Sequence, residues 1–248
     1  MIRALQDIAT AFQFLTRLPL GRLPYDANAL SRSAKYFPLV GLAIGILGSV
    51  VHRWLVQHLP ATIAALLTLT LLVFVTGGLH EDGLADVADA FGGGWNRGQV
   101  LAILKDSRIG TFGTLAIVVS LGLRLLLLAN LPLGRFAPYL ISSQVLCRWT
   151  ALPLGYVLPA AHECSNQGAR IARQISSSSL AIGTMITLVV VGSALRMAMW
   201  SPLASGLMVT VLSGLYYWWR IRGVTGDCFG ATNQLAEIAV YLCGVWHR

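Results

Sequence analysis

Residues 112–133 have the sequence FGTLAIVVSLGLRLLLLANLPL, in which Arg124 is the only charged side chain. A run of about 20 apolar residues is long enough for a helix to cross a bilayer. The stretch is too long and too uniformly apolar for a strand, and lipid leaves the backbone only helices or closed barrels. It therefore predicts a transmembrane helix.

Further stretches approach the same length and apolar character, at 37–56, 61–79, 136–158, 180–200 and 203–219. Another at 229–246 is shorter and carries Glu237. Charged residues make up 11% of the chain, whereas soluble domains carry about 25%. We predict an all-α fold, a polytopic integral membrane helix bundle of about six to seven spanning helices that forms a single domain over residues 1–248.

The first 35 residues differ from the spanning stretches. Their apolar side chains recur near the helical period, at Leu5, Ile8, Phe12, Leu15 and Leu18, and polar side chains stand between them. The segment lacks the small-residue cleavage pattern of a signal peptide. We predict that residues 1–35 form an interfacial segment with an amphipathic helix.

The net charge of +8 arises from Lys and Arg residues that are scattered among apolar stretches, not gathered in a polar domain. This pattern argues against a nucleic-acid partner and for a membrane orientation signal. If the spans alternate in direction, only four of these residues fall on the side away from the N-terminus: Arg53, Arg135, Arg196 and Arg248. The positive-inside rule then makes the N-terminal side cytoplasmic, and we expect a multi-pass protein of the cell inner membrane.

Acidic residues are crowded into one short part of the chain, at Glu81, Asp82, Asp86, Asp89 and Asp106. Asp82, Asp86 and Asp89 follow i, i+4 and i+7 spacing, which places three carboxylates on one face of a helix, with Glu81 pointing elsewhere. Like charges at this spacing destabilise a helix unless a cation offsets them. We predict that these three aspartates bind Mg²⁺, which takes carboxylates together with substrate phosphates.

Basic residues follow this acidic helix. Lys105 and Arg108 bracket Asp106, and Gly110 and Gly113 stand at the start of the next span. Backbone donors at a helix N-terminus beside two cations suit a phosphate. We therefore expect residues 77–113 to form a catalytic loop and helix on the cytoplasmic side. A solvated loop whose acidic and basic side chains pair with each other would have the same composition.

Other polar residues leave alternatives open. His80 could be a ligand or general base, or a surface histidine with no role. Thr225 and Asp227 form a second polar island on the same predicted face. Glu237 lies near membrane depth and is either functional or paired with an intramembrane arginine.

Those intramembrane arginines are Arg124 and Arg148. Each could contact a substrate phosphate or another polar substrate group from the bundle interior, or could extend to a nearby interface. We favour a structural role for Arg124 and a substrate-binding role for Arg148.

Three motifs carry a resemblance to a known family: GGLHEDGLADVADAFGG at 77–93, LAILKDSRIGTFG at 101–113 and GVTGDCFGATNQLAE at 223–237. Together they resemble the adenosylcobinamide-GDP ribazoletransferase family, also called cobalamin 5′-phosphate synthase. FLTRLPL at 14–20 and FPLVGLAIG at 37–45 resemble it too. The resemblance runs from about Phe12 to Glu237, with Ala90 where the family usually has Gly and a poor match over 160–180.

The resemblance implies the last assembly step of the cobalamin nucleotide loop. In this step α-ribazole or its 5′-phosphate attacks the phosphoryl group borne by the cobinamide of adenosyl-GDP-cobinamide, and GMP leaves. The residues expected to act in catalysis are His80, Asp82, Lys105, Asp106 and Arg108. Those expected to bind substrate are Gly110, Gly113, Thr225, Asp227, Glu237 and Arg148. The expected partners are these small molecules and the lipid bilayer, with no nucleic acid, and oligomerisation is left open.

Two other functions would explain parts of this pattern. A CDP-alcohol phosphatidyltransferase also places aspartates at cytoplasmic helix ends, but Asp86 and Val87 stand where its DGxxAR element needs Ala and Arg. A transporter would explain polar groups within spans. It would not explain why the acidic residues and the KDSR run cluster in one loop.

Overall fold

The computed structural model describes residues 2–18, 29–161 and 175–246. Within these ranges the chain is helical and contains no β-strand, only one isolated bridge between Ala160 and Val224. The helices are α1 (Ile2–Leu15), α2 (Ala29–Ser33), α3 (Phe37–Leu55), α4 (Ala61–Thr76), α5 (Leu79–Gly93), α6 (Arg97–Ile103), α7 (Thr111–Asn130), α8 (Leu133–Trp149), α9 (Ala151–Val157), α10 (Ser177–Leu195), α11 (Trp200–Ile221) and α12 (Gly226–Trp246). Short 3₁₀ turns, Ala34–Tyr36 and Arg196–Met199, precede α3 and α11.

Several of these segments are suited to a membrane by length and composition. Ala29–Leu55, Thr111–Asn130 and Ser177–Ile221 are each long and apolar enough to cross one. The pair α4 and α5, which is bent by 86°, qualifies together as a fourth segment. Large apolar side chains such as Val118 and Leu126 of α7 are exposed on the outside of the bundle. The structure thus confirms an all-α membrane bundle.

The long segment Ser177–Ile221 consists of two antiparallel passes. Near the start of α10, Gly183 packs against Leu152, and in the second half of α11, Gly214 packs against Leu154. The turn between the two helices, Arg196–Met199, lies instead beside the first turn of α8. The chain therefore reverses direction at this turn, as the separate stretches 180–200 and 203–219 predict.

The loops gather at two ends of the bundle. At the polar end, formed by residues 94–110, 158–161 and 222–225, Arg97 donates to the carbonyls of Ile221 and Ala161, both at 2.9 Å. At the opposite end, formed by residues 56–60, 131–134 and 196–199, the His52 ring stacks on Phe136. Successive loops between the spans thus lie at opposite ends of the bundle. This agrees with the alternating span directions that were assumed in counting Lys and Arg on each side.

The N-terminal helix packs on the start of α3. Phe14 stacks on Phe37 with ring centroids 5.8 Å apart, and Ala11 and Leu15 are buried. Asp7 pairs with Lys35 at 3.2 Å. This amphipathic helix agrees with the predicted segment, whose remaining residues 19–28 lie outside the described part of the chain, as do residues 162–174 of the poorly matching loop.

Candidate functional site

The aspartate helix begins at a sharp break in the chain. Gly77 and Gly78 both have positive φ, +65° and +69°, a conformation that favours glycine. Their N–H groups donate to the carbonyls of Phe74 and Val73 and so complete the last turn of α4. The break turns α5 through 86° relative to α4, which gives the aspartate face a direction that a continuous helix could not have.

Aspartates of two helices come near each other where α5 packs against α12. Asp82, Asp86 and Asp89 all lie on α5, as their spacing predicts, and Asp227 lies in the first turn of α12. The negative charges of the other three all act on Asp86. In the described part of the chain, no Lys or Arg forms an ion pair with Asp82, Asp86 or Asp227.

The contact between these helices is close because both present glycines. A Cβ at Gly83 would lie 2.9 Å from the Asp227 carbonyl oxygen and 3.2 Å from the Gly230 Cα. The two polar islands of the sequence therefore converge as predicted. The convergence depends on backbone-to-backbone packing.

Asp89 makes a contact that the sequence analysis missed. Its two carboxylate oxygens accept hydrogen bonds from the backbone N–H groups of Gly110, at 2.7 Å, and Gly113, at 2.8 Å. These are the amides predicted to bind phosphate, and α7 has no side-chain cap of its own because its N-cap is Gly110. Asp89 therefore fills an anion site at the start of α7. Two glycines at an uncapped helix start were the signal that could have indicated such a partner.

The chemistry of the remaining donors is suited to a hard cation. Asp82 is exposed, Asp86 and Asp227 are half-buried, and all three are carboxylates, the ligands that Mg²⁺ prefers. Among the residues that the structure describes, no three acidic, His or Cys side chains are grouped closely enough to hold a metal ion. The carboxylates predicted to bind magnesium are thus of the right chemical type, but the structure does not group three of them as ligands, and Asp89 is engaged with α7.

The KDSR loop presents its cations to solvent. Arg108 forms a fork with Asp106, with Nη2 2.6 Å from Oδ2 and Nε 3.0 Å from Oδ1. The hydrogen bonds from Arg108 lower the pKa of Asp106 to about 2, so this carboxylate stays ionised at neutral pH. Lys105 is exposed beside them. Asp106 and Arg108 do pair with each other, as the solvated-loop alternative expected, but much of the guanidinium surface stays accessible.

A buried ion cluster lies beneath the aspartates. Arg124 is 2% exposed and donates from Nη1 to Glu81 at 2.7 Å and to Gln234 at 2.8 Å. Its Nε donates to Glu237 at 3.2 Å. Of the alternatives for Glu237, pairing with Arg124 is thus observed, and the structural role favoured for Arg124 is supported. The cluster joins α5, α7 and α12.

The network continues from Glu237 towards α8. Tyr241 donates to Glu237 at 2.9 Å, and Gln144 donates to the Tyr241 hydroxyl at 3.2 Å. Arg148 donates from Nη1 to the Gln144 side chain at 2.7 Å. Sequence reasoning did not find Gln144 or Tyr241, because isolated polar residues in apolar stretches show no spacing pattern.

Two buried polar atoms near this network lack a hydrogen-bond partner among the described residues, Arg148 Nε and Glu81 Oε2. The charge of Arg148 acts on the His80 ring, which is only 6% exposed. His80 is therefore not a surface residue. It is buried on α5 near the charges of Arg148, Glu81 and Arg124. Arg148 keeps donor capacity at Nε for a polar group.

Thr225, of the second polar island, makes hydrogen bonds at the start of α12. Cys228 N–H donates to the Thr225 hydroxyl at 3.4 Å, and this hydroxyl donates to Asp227 at 3.3 Å. Thr225 thereby orients the first turn of α12, from which Asp227 points towards α5.

Comparisons with known proteins agree with the resemblance. Residues 7–245 match the model of the family described as cobalamin-5-phosphate synthase. The adenosylcobinamide-GDP ribazoletransferase of Leptospira interrogans is 36% identical, over 94% of this chain and 92% of its own. Proteins of the same name from Polaromonas and Vibrio cholerae are each 35% identical, over 96% and 94% of this chain and over 95% and 90% of their own.

No solved structure matches the chain. The matches do not favour the phosphatidyltransferase or the transporter. The chain belongs to the cobalamin-5-phosphate synthase family.

Proposed function

We propose that this protein joins adenosyl-GDP-cobinamide to α-ribazole or its 5′-phosphate and so completes the cobalamin nucleotide loop. A ribazole hydroxyl oxygen forms a bond to the phosphorus borne by the cobinamide, the bond from that phosphorus to GMP breaks, and the hydroxyl proton passes to a base. The products are adenosylcobalamin, or its 5′-phosphate, and GMP. Relatives with the ribazoletransferase name align over nearly the whole chain, which supports this reaction.

The observation that carries the proposal is the carboxylate cluster of α5 and α12 beside the basic KDSR loop. Phosphoryl transfer requires mainly positioning and neutralisation of charge on the transferring and leaving oxygens. Lys105 and Arg108, both exposed, are suited to contact the diphosphate. An aspartate of the exposed face, or the buried His80, accepts the hydroxyl proton.

Magnesium dependence is part of the proposal. Asp82 and Asp86 would hold the ion with Asp227, and Asp89 would join them only by releasing Gly110 and Gly113. When bound, Mg²⁺ supplies positive charge to the diphosphate oxygens. Thr225 and Arg148 bind other polar groups of the substrates in this proposal, and Glu237 acts by holding Arg124.

We further propose that the protein lies in the cell inner membrane with the polar end facing the cytoplasm. Among the described Lys and Arg residues, Arg53, Arg135 and Arg196 lie at the opposite end, and the others lie at the polar end, in the N-terminal segment or within spans. By the positive-inside rule, this distribution supports the orientation.

The test is GMP release by purified protein supplied with adenosyl-GDP-cobinamide and each form of α-ribazole. We expect turnover with Mg²⁺, its loss on chelation and its recovery when Mg²⁺ is restored. Asp82→Asn should lower turnover by roughly 100-fold or more, as the loss of one charge-stabilising group does in other enzymes, while the protein still folds and inserts. Arg53→Gln, at the opposite end, is the control and should keep full activity.

The outcomes separate the parts of the proposal. Near-normal turnover by Asp82→Asn would reject the metal role of the aspartates. Absence of GMP release with either form of α-ribazole would reject the function itself.

A further inference from the structure

A cavity lies at the opposite end of the bundle, away from the aspartates. Its volume is about 530 Å³, and it lies between the first turn of α8 and the turn that joins α10 to α11. Arg135, Tyr139 and Ser201 supply its polar side chains. Nothing in the proposed reaction uses these residues.

Among the residues that the structure describes, Arg135 has no counter-charge in this cavity. Its Nη1 is buried and has no hydrogen-bond partner in the described residues. The acidic side chains that the structure describes lie in α1, in α5, in the KDSR loop and in α12, and none lines the cavity. A buried guanidinium nitrogen without a partner is costly, so the arrangement favours an anion from outside the protein.

The backbone around Arg135 also favours an anion. The N–H groups of Arg135 and Phe136 donate to the Pro132 carbonyl, which leaves the N–H of Gly134, in the first turn of α8, as the one cavity-lining amide of this turn without such a bond in the described residues. A Cβ at Gly134 would meet no atom within 4 Å. Free amides, a guanidinium and hydroxyl groups are the donors that bind phosphate groups. The cavity therefore has the chemistry of a phosphate site.

Its rim indicates where the phosphate comes from. Met197 and Trp200 line the cavity and are strongly exposed, Met197 to 85%. Apolar side chains and tryptophan at the end of a membrane bundle suit the boundary between lipid headgroups and acyl chains. We propose that this cavity binds the phosphate headgroup of an anionic phospholipid from the leaflet at the opposite end, with Arg135 as its main contact.

Native mass spectrometry of the purified full chain tests this proposal. The protein in detergent is supplied with phosphatidylglycerol or with phosphatidylcholine, and the bound lipids are counted. We expect tighter retention of phosphatidylglycerol, and about ten-fold weaker binding by Arg135→Gln, the loss expected for one charged hydrogen bond. Arg53→Gln removes an exposed arginine from the same end and should bind like the unaltered protein.

Two further arms make the result decisive. Ala198→Trp fills the cavity and keeps Arg135, so it should lose the lipid even if Arg135→Gln fails to fold. Inorganic phosphate and glycerol 1-phosphate should not displace the lipid. Equal retention of both lipids, unchanged binding by Ala198→Trp, or displacement by soluble phosphate would each overturn the proposal.

Discussion

Asp89 links the aspartate helix to the next span through two hydrogen bonds to backbone amides. Because the acceptor is charged, each bond is stronger than a neutral one, and together they order the glycine-containing start of α7. An amide side chain at this position would keep only one acceptor oxygen. The side chain at position 89 therefore decides how firmly the backbone amides of Gly110 and Gly113, which were predicted to bind phosphate, are held.

We predict that Asp89→Asn exposes these two amides to exchange. The loss of one charged hydrogen bond is expected to cost about 1.5–3 kcal/mol of local stability. Hydrogen–deuterium exchange of the peptide that contains Gly110 and Gly113 should then be faster by an order of magnitude or more. Asp82→Asn, on the same helix but exposed, is the control and should leave this exchange unchanged. Equal rates in both variants would show that Asp89 does not hold the start of α7.

At the scale of elements, α5 is held from two sides. Arg124 binds Glu81 from α7, and the glycine contact brings α5 against α12. Removing one partner of a buried charge cluster typically costs about 3–5 kcal/mol, because the other charges stay buried and uncompensated. The aspartate helix α5 is thus fixed by groups other than its exposed aspartate, Asp82.

Gly83→Ala is predicted to move α5 away from α12. The new Cβ would lie 2.9 Å from the Asp227 carbonyl oxygen and 3.1 Å from its Cα, and backbone atoms cannot rotate aside. Overpacking of this kind costs roughly 1–3 kcal/mol. We expect a lower midpoint of thermal unfolding in detergent and at least a ten-fold loss of GMP release.

The matched control is Gly122→Ala in α7, where an added Cβ meets no atom within 4 Å. Alanine favours a helix over glycine by about 1 kcal/mol, so this variant should be as stable as the unaltered protein or more so. If Gly83→Ala behaved like Gly122→Ala, the close approach of α5 and α12 would not be needed for activity.

At the scale of the whole molecule, the two ends of the bundle should face different compartments. We predict that a cysteine at Lys105 reacts with a membrane-impermeant maleimide in inside-out vesicles and not in intact spheroplasts. A cysteine at Met197 should show the reverse, because Met197 is exposed at the opposite end. Both substitutions are made in a chain whose four native cysteines are replaced. Labelling of both sites from the same side would reject the orientation.

Much of the architecture follows from local patterns. Apolar stretches predicted α3, α4 and the helices from α7 to α12, and the spacing of Asp82, Asp86 and Asp89 predicted the helical face of α5. Helix α6 was not predicted. The three motifs predicted the family, which the comparisons confirm. Helical period and hydropathy depend on residues near each other in the chain, so they can be read without knowing which helices are neighbours.

Pairing between distant residues could not be predicted in this way. Nothing near Arg124 in the chain indicates that it binds both Glu81 and Glu237, and nothing near Asp89 identifies Gly110 and Gly113 as its donors. Several partners were available for each group, and only the packing of α5 between α7 and α12 selects among them. The physical reason is that a hydrogen bond requires its atoms to lie within about 3 Å, a distance that the tertiary structure sets and local periodicity does not.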